Sequence, residues 1–338
     1  MPTLAELRFQ NRFHALGADF YVEALPQGLQ RPHLQCANTA VAQMLGLTEA
    51  DLHSDLFLQV FSGNQLLAGM QPLAQAYAGH QFGTFNPFLG DGRSLLLGEV
   101  QTASGLMDLC LKGAGRTPFA RNADGRAGLN ECLHEYHISE QLAALGIPTA
   151  RVLSVISGEP AVYRQGALEE AAMLVRVAPS HIRFGTFENY FYQRKPQAIR
   201  QLADHVIQWH YPQCQREGED RYAHFLQAVV IKTAELIAHW QAAGFTHGVM
   251  NTDNQSIIGI TLDIGGCGFT LDRDPEFVSN TLDAKKRYAF GQQPMVGLWN
   301  CNVLARALSA LIPAADLRTA LREYEPAYLR TFAQLASV

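Results

Sequence analysis

The chain lacks any long apolar run. Nowhere in its 338 residues does an uninterrupted hydrophobic stretch approach the roughly 20 residues that span a bilayer. It also lacks a signal-peptide pattern, since MPTLAELRFQNRF puts acidic and polar residues where an apolar core would be needed. A basic excess is missing too. The formal net charge of −5 excludes bulk attraction to nucleic acid or to an anionic membrane, so neither is expected as a partner. The six cysteines form no C-x-x-C pair and no zinc-finger spacing, which reads as reduced thiols in a cytoplasmic protein. Repeats and low-complexity tracts are absent. What remains is 48% hydrophobic and 17% charged, an ordinary globular composition long enough for two lobes around a cleft.

Turn signals and periodicity divide the chain. Residues 1–75 mix short apolar segments with turns, and Thr48-Glu49-Ala50-Asp51 reads as a capped helix start. Residues 79–93 are rich in glycine and phenylalanine. LLLGEV (95–100) and LMDLCLK (106–112) flank Ala103-Ser104-Gly105 in a hairpin pattern. Met107, Leu109 and Leu111 alternate with Asp108, Cys110 and Lys112, so Lys112 leaves the strand opposite the apolar face. Helical spacing predicts helices over 129–145, 221–243, 294–311 and 316–333, with Gly146 and Pro148 stopping the first and Gly244 the second. A linker is expected near 154–175. The expected class is α+β, a protein-kinase-like two-lobed fold with a small sheet-bearing lobe and a larger helical lobe. The expected divisions are an N-terminal segment (1–75), the small lobe (76–153) and the large lobe (154–338).

The most informative segment is His247-Gly248-Val249-Met250-Asn251-Thr252-Asp253-Asn254, followed by Asp263-Ile264-Gly265. A protein-kinase catalytic loop reads H-R-D-x-x-x-x-N, then a short strand, then D-F-G. His247, Asn254 and Asp263 stand in the matching places. Val249 occupies the place of the catalytic aspartate and cannot accept a proton. Asp253 is the one carboxylate in the loop, hence the candidate general base; a turn or cap is its alternative use. Asn254 and Asp263 are candidate ligands for Mg²⁺, which takes hard oxygens and few protein ligands. Asp263 is expected at the end of a buried strand, Ser256–Leu262, with a strand-capping turn as the other reading.

Lys112 on a strand and Glu135 on the next helix suit the lysine–glutamate pair that positions a phosphate-binding lysine, or are an unrelated surface lysine and glutamate. Gly90-Asp91-Gly92-Arg93 and Gly113-Ala114-Gly115-Arg116 are phosphate-loop candidates, although neither is a Walker A nor a complete G-x-G-x-x-G, and tight turns explain each taken alone. Arg176 and Arg183 bracket VAPSHIRF as an arginine cluster suited to phosphate, or to surface salt bridges. His134 and His137 do not form H-E-x-x-H, so a zinc site is not expected there. Cys267 reads as a buried small residue.

With these residues in hand, the chain resembles the selenoprotein O (YdiU, UPF0061) family. The resemblance rests on YAGHQFGTFNPFLGDGRSLLLGE (77–99), LKGAGRTPFAR (111–121), DGRAGL (124–129), ALGIPTAR (144–151), VAPSHIRFGTFE (177–188), HGVMNTDN (247–254) and RYAF (287–290), which span nearly the whole chain. It implies a kinase-like fold with ATP bound in a flipped pose, and transfer of AMP to Ser, Thr or Tyr hydroxyls of proteins, self-modification included. It implies Mg²⁺ as the metal, with Mn²⁺ as the alternative. Lys112 and Glu135 would be the ion pair. Gly90, Gly92, Arg93, Lys112, Arg176 and Arg183 would bind nucleotide, the last two at the γ-phosphate. Asn254 and Asp263 would ligate metal, and Asp253 would be the base. The chain departs from the family at DIGGCGF (263–269), where DYGPFGF is usual, and at Thr281–Lys286, where a His-rich stretch is usual. Family chains also continue further, to a cysteine or selenocysteine near the C-terminus, so this chain reads as a C-terminally short member. An inactive nucleotide-binding pseudoenzyme and a true protein kinase are the alternative functions.

Overall fold

In a computed structural model, which describes residues 3–164, 166–215 and 220–336, the chain is mixed α and β and divides into two units. The first comprises residues 1–76, 88–143 and 149–181; the second comprises 77–87, 144–148 and 182–338.

The first unit opens with β1 (Tyr21–Glu23) and β2 (Gln30–Ala37) and three short helices, α1 (Thr39–Met44), α2 (Glu49–Leu52) and α3 (Asp55–Phe61). Thr48 caps α2 through a capping box with Asp51, as its sequence predicts. After β3 (Leu73–Gln75) the chain contributes a small hairpin to the second unit, β4 (Gly79–Gln81) and β5 (Thr84–Asn86). It then returns as the predicted long hairpin, β6 (Ser94–Thr102) and β7 (Gly105–Lys112). β8 (Ala127–Gly128) leads into α4 (Leu129–Ala144), which ends where Gly146 and Pro148 were expected to stop it.

The stretch read as a linker is instead the longest hairpin of the molecule, β9 (Arg151–Arg164) and β10 (Ala167–Ala178). Its pattern of consecutive buried residues suits strands covered on both faces, which alternation alone does not reveal. With it, the first unit takes in residues assigned above to the N-terminal segment and to the large lobe. The strands form one antiparallel sheet in the order β1-β3-β6-β7-β10-β9-β2, with β8 pairing to β10.

Side-chain alternation then decides what lies where. Leu109, Leu111, Met173 and Val175 enter a core with Phe57, Val60 and Phe61 of α3. Their neighbours Ala172 and Leu174 pack on the other face with Cys132 of α4. Lys112 pairs in register with Leu174, so it shares that second face, as does Arg176 two residues on. The face opposite the apolar one is thus not open to water.

The second unit continues through α5 (Phe184–Tyr192), α6 (Pro196–His210), α7 (Asp220–Ala243), a two-stranded ribbon of β11 (Phe245–Thr246) and β12 (Gly268–Phe269), α8 (Gln293–Ala307), α9 (Ala314–Leu321) and α10 (Tyr324–Ala336). α7 buries Tyr222, Phe225, Leu226, Val229, Val230, Leu236, Ile237 and Trp240, the stripe that its spacing predicts. The single helix expected over 316–333 is two, broken at Arg322-Glu323. Pro326 has no N–H to give to the carbonyl four residues back, so a continuous helix would lose that bond. Among the described residues, no helix is long and apolar enough to cross a membrane.

Candidate active site

In the first unit, the site grows from the register just described. α4 covers the second face of the sheet, and Glu131 and Glu135 are one helical turn apart on it. Lys112 Nζ lies 2.7 Å from Glu135 Oε2 and 2.6 Å from Glu131 Oε1. Arg93 grips Glu131 with both terminal nitrogens, at 2.7 and 3.0 Å. Arg176 Nε donates to the other oxygen of Glu135. Lys112, Glu135 and Arg176 are all nearly inaccessible to solvent. Burial alone would raise the carboxyl of Glu135, but Arg176 and Lys112 beside it hold it at about 2. Glu131 is likewise held at about 2, with Lys112 and Arg93 outweighing its burial. Burial would lower Lys112, yet the two glutamates leave it above its ordinary value. Three cations, Lys112, Arg93 and Arg176, thus face the two carboxylates of Glu131 and Glu135. Arg93, whose side chain is the most exposed of the three, offers charge-assisted donors of the kind that suit an anion.

Gly90 and Gly92 lead to Arg93, and each is a site of close packing. A Cβ on Gly90 would lie 2.5 Å from the Phe119 ring, and one on Gly92 would lie 3.0 Å from the Phe119 carbonyl. The backbone N–H groups of Gly113 and Ala114 donate to the Arg93 carbonyl, at 2.8 and 3.1 Å.

In the second unit, the loop 247–254 hangs on buried polar contacts. His247 Nε2 lies 2.8 Å from the Leu262 carbonyl, and its Nδ1 accepts from Val249 N. Both ring nitrogens are used in the neutral form, and burial lowers the imidazole's proton affinity. The role of His247 is thus to tie the loop to the segment before Asp263. That segment is no strand: Gly259, at φ 72°, turns the chain so that Gln255 bridges to Thr261, and Ser256 bridges to Arg183. The β-branched run predicted its burial but not this turn. Asp263 itself has φ 55°, a left-handed conformation that costs energy for a residue other than glycine.

Arg183 Nη1 joins the Asp253 and Asp263 segments of the second unit. It donates to the Asp253 carbonyl and to Asp263 Oδ2, both at 2.5 Å. Arg176 and Arg183, read above as one cluster, therefore belong to different units and have different carboxylate partners.

Asp253 is 7% exposed. Its Oδ2 accepts from Gln81 Nε2 at 3.1 Å, and its Oδ1 is buried with no hydrogen-bond partner. Burial raises this carboxyl to about 6, with nearby Asp263 adding to the rise and Arg183 and Gln81 opposing it. Gly79 makes room for it, since a Cβ there would lie 2.9 Å from Asp253 Oδ1 and 3.0 Å from its backbone nitrogen.

Asn254 donates through Nδ2 to the Val249 carbonyl at 3.0 Å, which fixes its amide. Among the described residues, no group of three or more His, Cys, Asp or Glu forms a preassembled metal cage. The amide oxygen of Asn254 and the carboxylate of Asp263 are nonetheless both hard donors. That set fits Mg²⁺, which keeps waters and substrate oxygens as its other ligands.

The model of the family described as "Protein adenylyltransferase SelO" matches residues 3–337. The chain belongs to the SelO family. The chain is similar to "Protein nucleotidyltransferase YdiU" of Myxococcus xanthus, with 49% identity over 97% of this chain and 67% of that protein. The proteins of the same name from Klebsiella pneumoniae and Vibrio cholerae are each 49% identical over 94% of this chain, covering 66% and 64% of their own lengths. The chain thus spans about two thirds of the length of the curated relatives it matches. It is a member of a family of nucleotidyltransferases.

Sequence reasoning missed Glu131 and Gln81. Glu131 was findable, because it lies four residues before Glu135 and so on the same helix face. Gln81 carries no such signal, for only the turn of β4 brings it to Asp253.

Proposed function

We propose that this chain transfers AMP from ATP to Ser, Thr or Tyr hydroxyls of proteins in the cytoplasm, on a protein-kinase-like two-lobed frame. The observation that carries the reading is Asp253: a buried carboxylate with one oxygen unsatisfied and a raised pKa, in a loop whose usual base position holds Val249. A carboxyl poised at about 6 is well matched to a general base near neutral pH. The similarity to proteins named adenylyltransferase and nucleotidyltransferase supports it.

In this reading, Lys112, Arg93 and Arg176 supply positive charge to the triphosphate, with Gly90 and Gly92 setting the course of the Arg93 loop. Arg183 holds the γ-phosphate end, and Glu135 keeps Lys112 extended. Asn254 and Asp263 hold Mg²⁺, or Mn²⁺ in its place. A metal held there would supply positive charge to screen the phosphates and to stabilise the leaving group. Asp253 takes the proton of the acceptor hydroxyl as its oxygen bonds to the α-phosphorus. The bond from that phosphorus to the bridging oxygen breaks, and pyrophosphate leaves with the electron pair. Lys112 and the arginines stabilise that charge.

The test is to incubate the protein and a candidate acceptor with ATP labelled at the α- or at the γ-phosphorus. Retention of α-label alone is expected. Retention of γ-label alone would identify a protein kinase. Tight Mg-ATP binding with neither label retained would identify a pseudoenzyme.

A further inference from the structure

A cavity of about 920 Å³ lies wholly within the second unit, lined by residues that the scheme above does not use, among them Phe82, Lys285, Lys286, Arg287, Met295 and Trp299. Lys285, Lys286 and Arg287 face it against one carboxylate, Glu276, which pairs with Lys286 at 3.1 Å. This is a basic cavity on a chain whose net charge is −5. Its other walls mix the polar Gln292 and Asn302 with apolar side chains, of which Phe82 is 43% and Met295 65% exposed. The Arg287 guanidinium lies 4.7 Å from the centre of the Trp299 ring, and its Nε is buried without a hydrogen-bond partner.

Phe82 is the decisive residue. It stands at the tip of the β4–β5 hairpin with φ 50°, and Gly83 follows with φ 83°. A two-residue turn with both φ values positive prefers Asn-Gly or Gly-Gly, and a bulky aromatic there is strained. A strained, half-exposed aromatic at a turn tip signals a use for the side chain. The same backbone also reaches the loop of Asp253. Phe82 N donates to Tyr288 Oη at 2.8 Å and to Asn251 Oδ1 at 3.2 Å, and the preceding residue, Gln81, holds the Asp253 carboxylate.

We propose that this cavity takes an acidic segment of the acceptor protein, adjacent to the hydroxyl that is modified. The inference rests on the function proposed above for Asp253. Glutamates or aspartates of the segment meet Lys285, Lys286 and Arg287, while its apolar groups meet Phe82, Trp299 and Met295. Charge complementarity selects an acidic segment over a basic one.

Binding is measured without turnover, so it is read separately from AMP transfer. The probe is a fluorescein-labelled glutamate-rich peptide with one central serine, followed by fluorescence anisotropy, with a lysine-rich counterpart as control. The glutamate-rich peptide is expected to bind at least about tenfold more tightly than its counterpart. The double variant Lys285→Glu/Lys286→Glu should lose about tenfold in peptide affinity and keep its calorimetric affinity for Mg-ATP. Phe82→Asn should weaken the peptide by a similar factor without lowering the melting temperature, since asparagine tolerates that backbone. Equal binding of both peptides, or an unaffected double variant, would overturn the proposal. So would competitive displacement of the peptide by Mg-ATP, or tighter binding of a single-stranded oligonucleotide. Absence of α-label transfer alongside selective peptide binding would refute the proposed reaction and leave the binding site standing.

Discussion

Asp253 pays for its position in stability. Its carboxyl ionises at about 6 in the folded chain against an ordinary value of 3.8, so the folded state favours the protonated form. The resulting stabilisation is complete below the unfolded value and is lost as pH rises from about 4 to about 6. Ionised Asp253 therefore costs on the order of 2–3 kcal/mol at neutral pH. Asp253→Asn should raise the midpoint of urea unfolding at pH 7.5 and leave it nearly unchanged at pH 4. The same substitution should lower turnover about 10²–10⁴-fold while sparing Mg-ATP affinity. In the wild type, turnover should rise with pH through about 6. A flat profile between pH 5 and 7, or a less stable variant at pH 7.5, would be incompatible with a buried base. Asp263→Ala should instead abolish metal-dependent nucleotide binding, as calorimetry with and without Mg²⁺ would show.

α4 gives one carboxylate to each of two demands. Glu135 is buried between Lys112 and Arg176, whereas Glu131 holds Lys112 and the more accessible Arg93. Glu135→Ala leaves two buried cations facing each other, and should destabilise the chain by about 3–5 kcal/mol. Glu131→Ala leaves Lys112 paired to Glu135, so its cost should be clearly smaller. Paired urea titrations of the two variants settle the ranking, and equal losses would mean that the cluster does not depend on Glu135. The helix itself was legible from its apolar spacing and from Gly146 and Pro148. The β9–β10 hairpin was not, because residues such as Val152–Ser157 and Ala171–Ala178 are buried whichever way they point, and so lack the alternation that marks a half-exposed strand.

Across the whole molecule, the six cysteines stand as thiols rather than disulfides, and five of them are buried. Burial pushes the Cys132 and Cys301 thiols up to about 12, and raises that of half-buried Cys36 as well. Thiolates are scarce at neutral pH for that reason. Thiol counts on the denatured chain should agree with and without prior reductant, and iodoacetamide should label the native chain slowly, at Cys36 first. A reductant-dependent count, or rapid labelling of Cys132, would point to a redox device that the geometry does not contain.

Residue order was enough for whatever is local or periodic. The loop His247–Asn254 with Asp263 beyond it, the β6–β7 hairpin and the helices α4 and α7 follow from spacing and turn chemistry, which act over a few residues. Tertiary structure alone decided which distant groups share a face. Glu131 joined Lys112 because β7, β10 and α4 stack in one register. Gln81 reached Asp253 because β4 turns at Phe82-Gly83. The run before Asp263 became a turn because Gly259 allows it and the Gln255–Thr261 bridge closes it. Burial is a property of the packed chain, and only packing could leave an oxygen of Asp253 without a hydrogen-bond partner and raise its carboxyl to about 6.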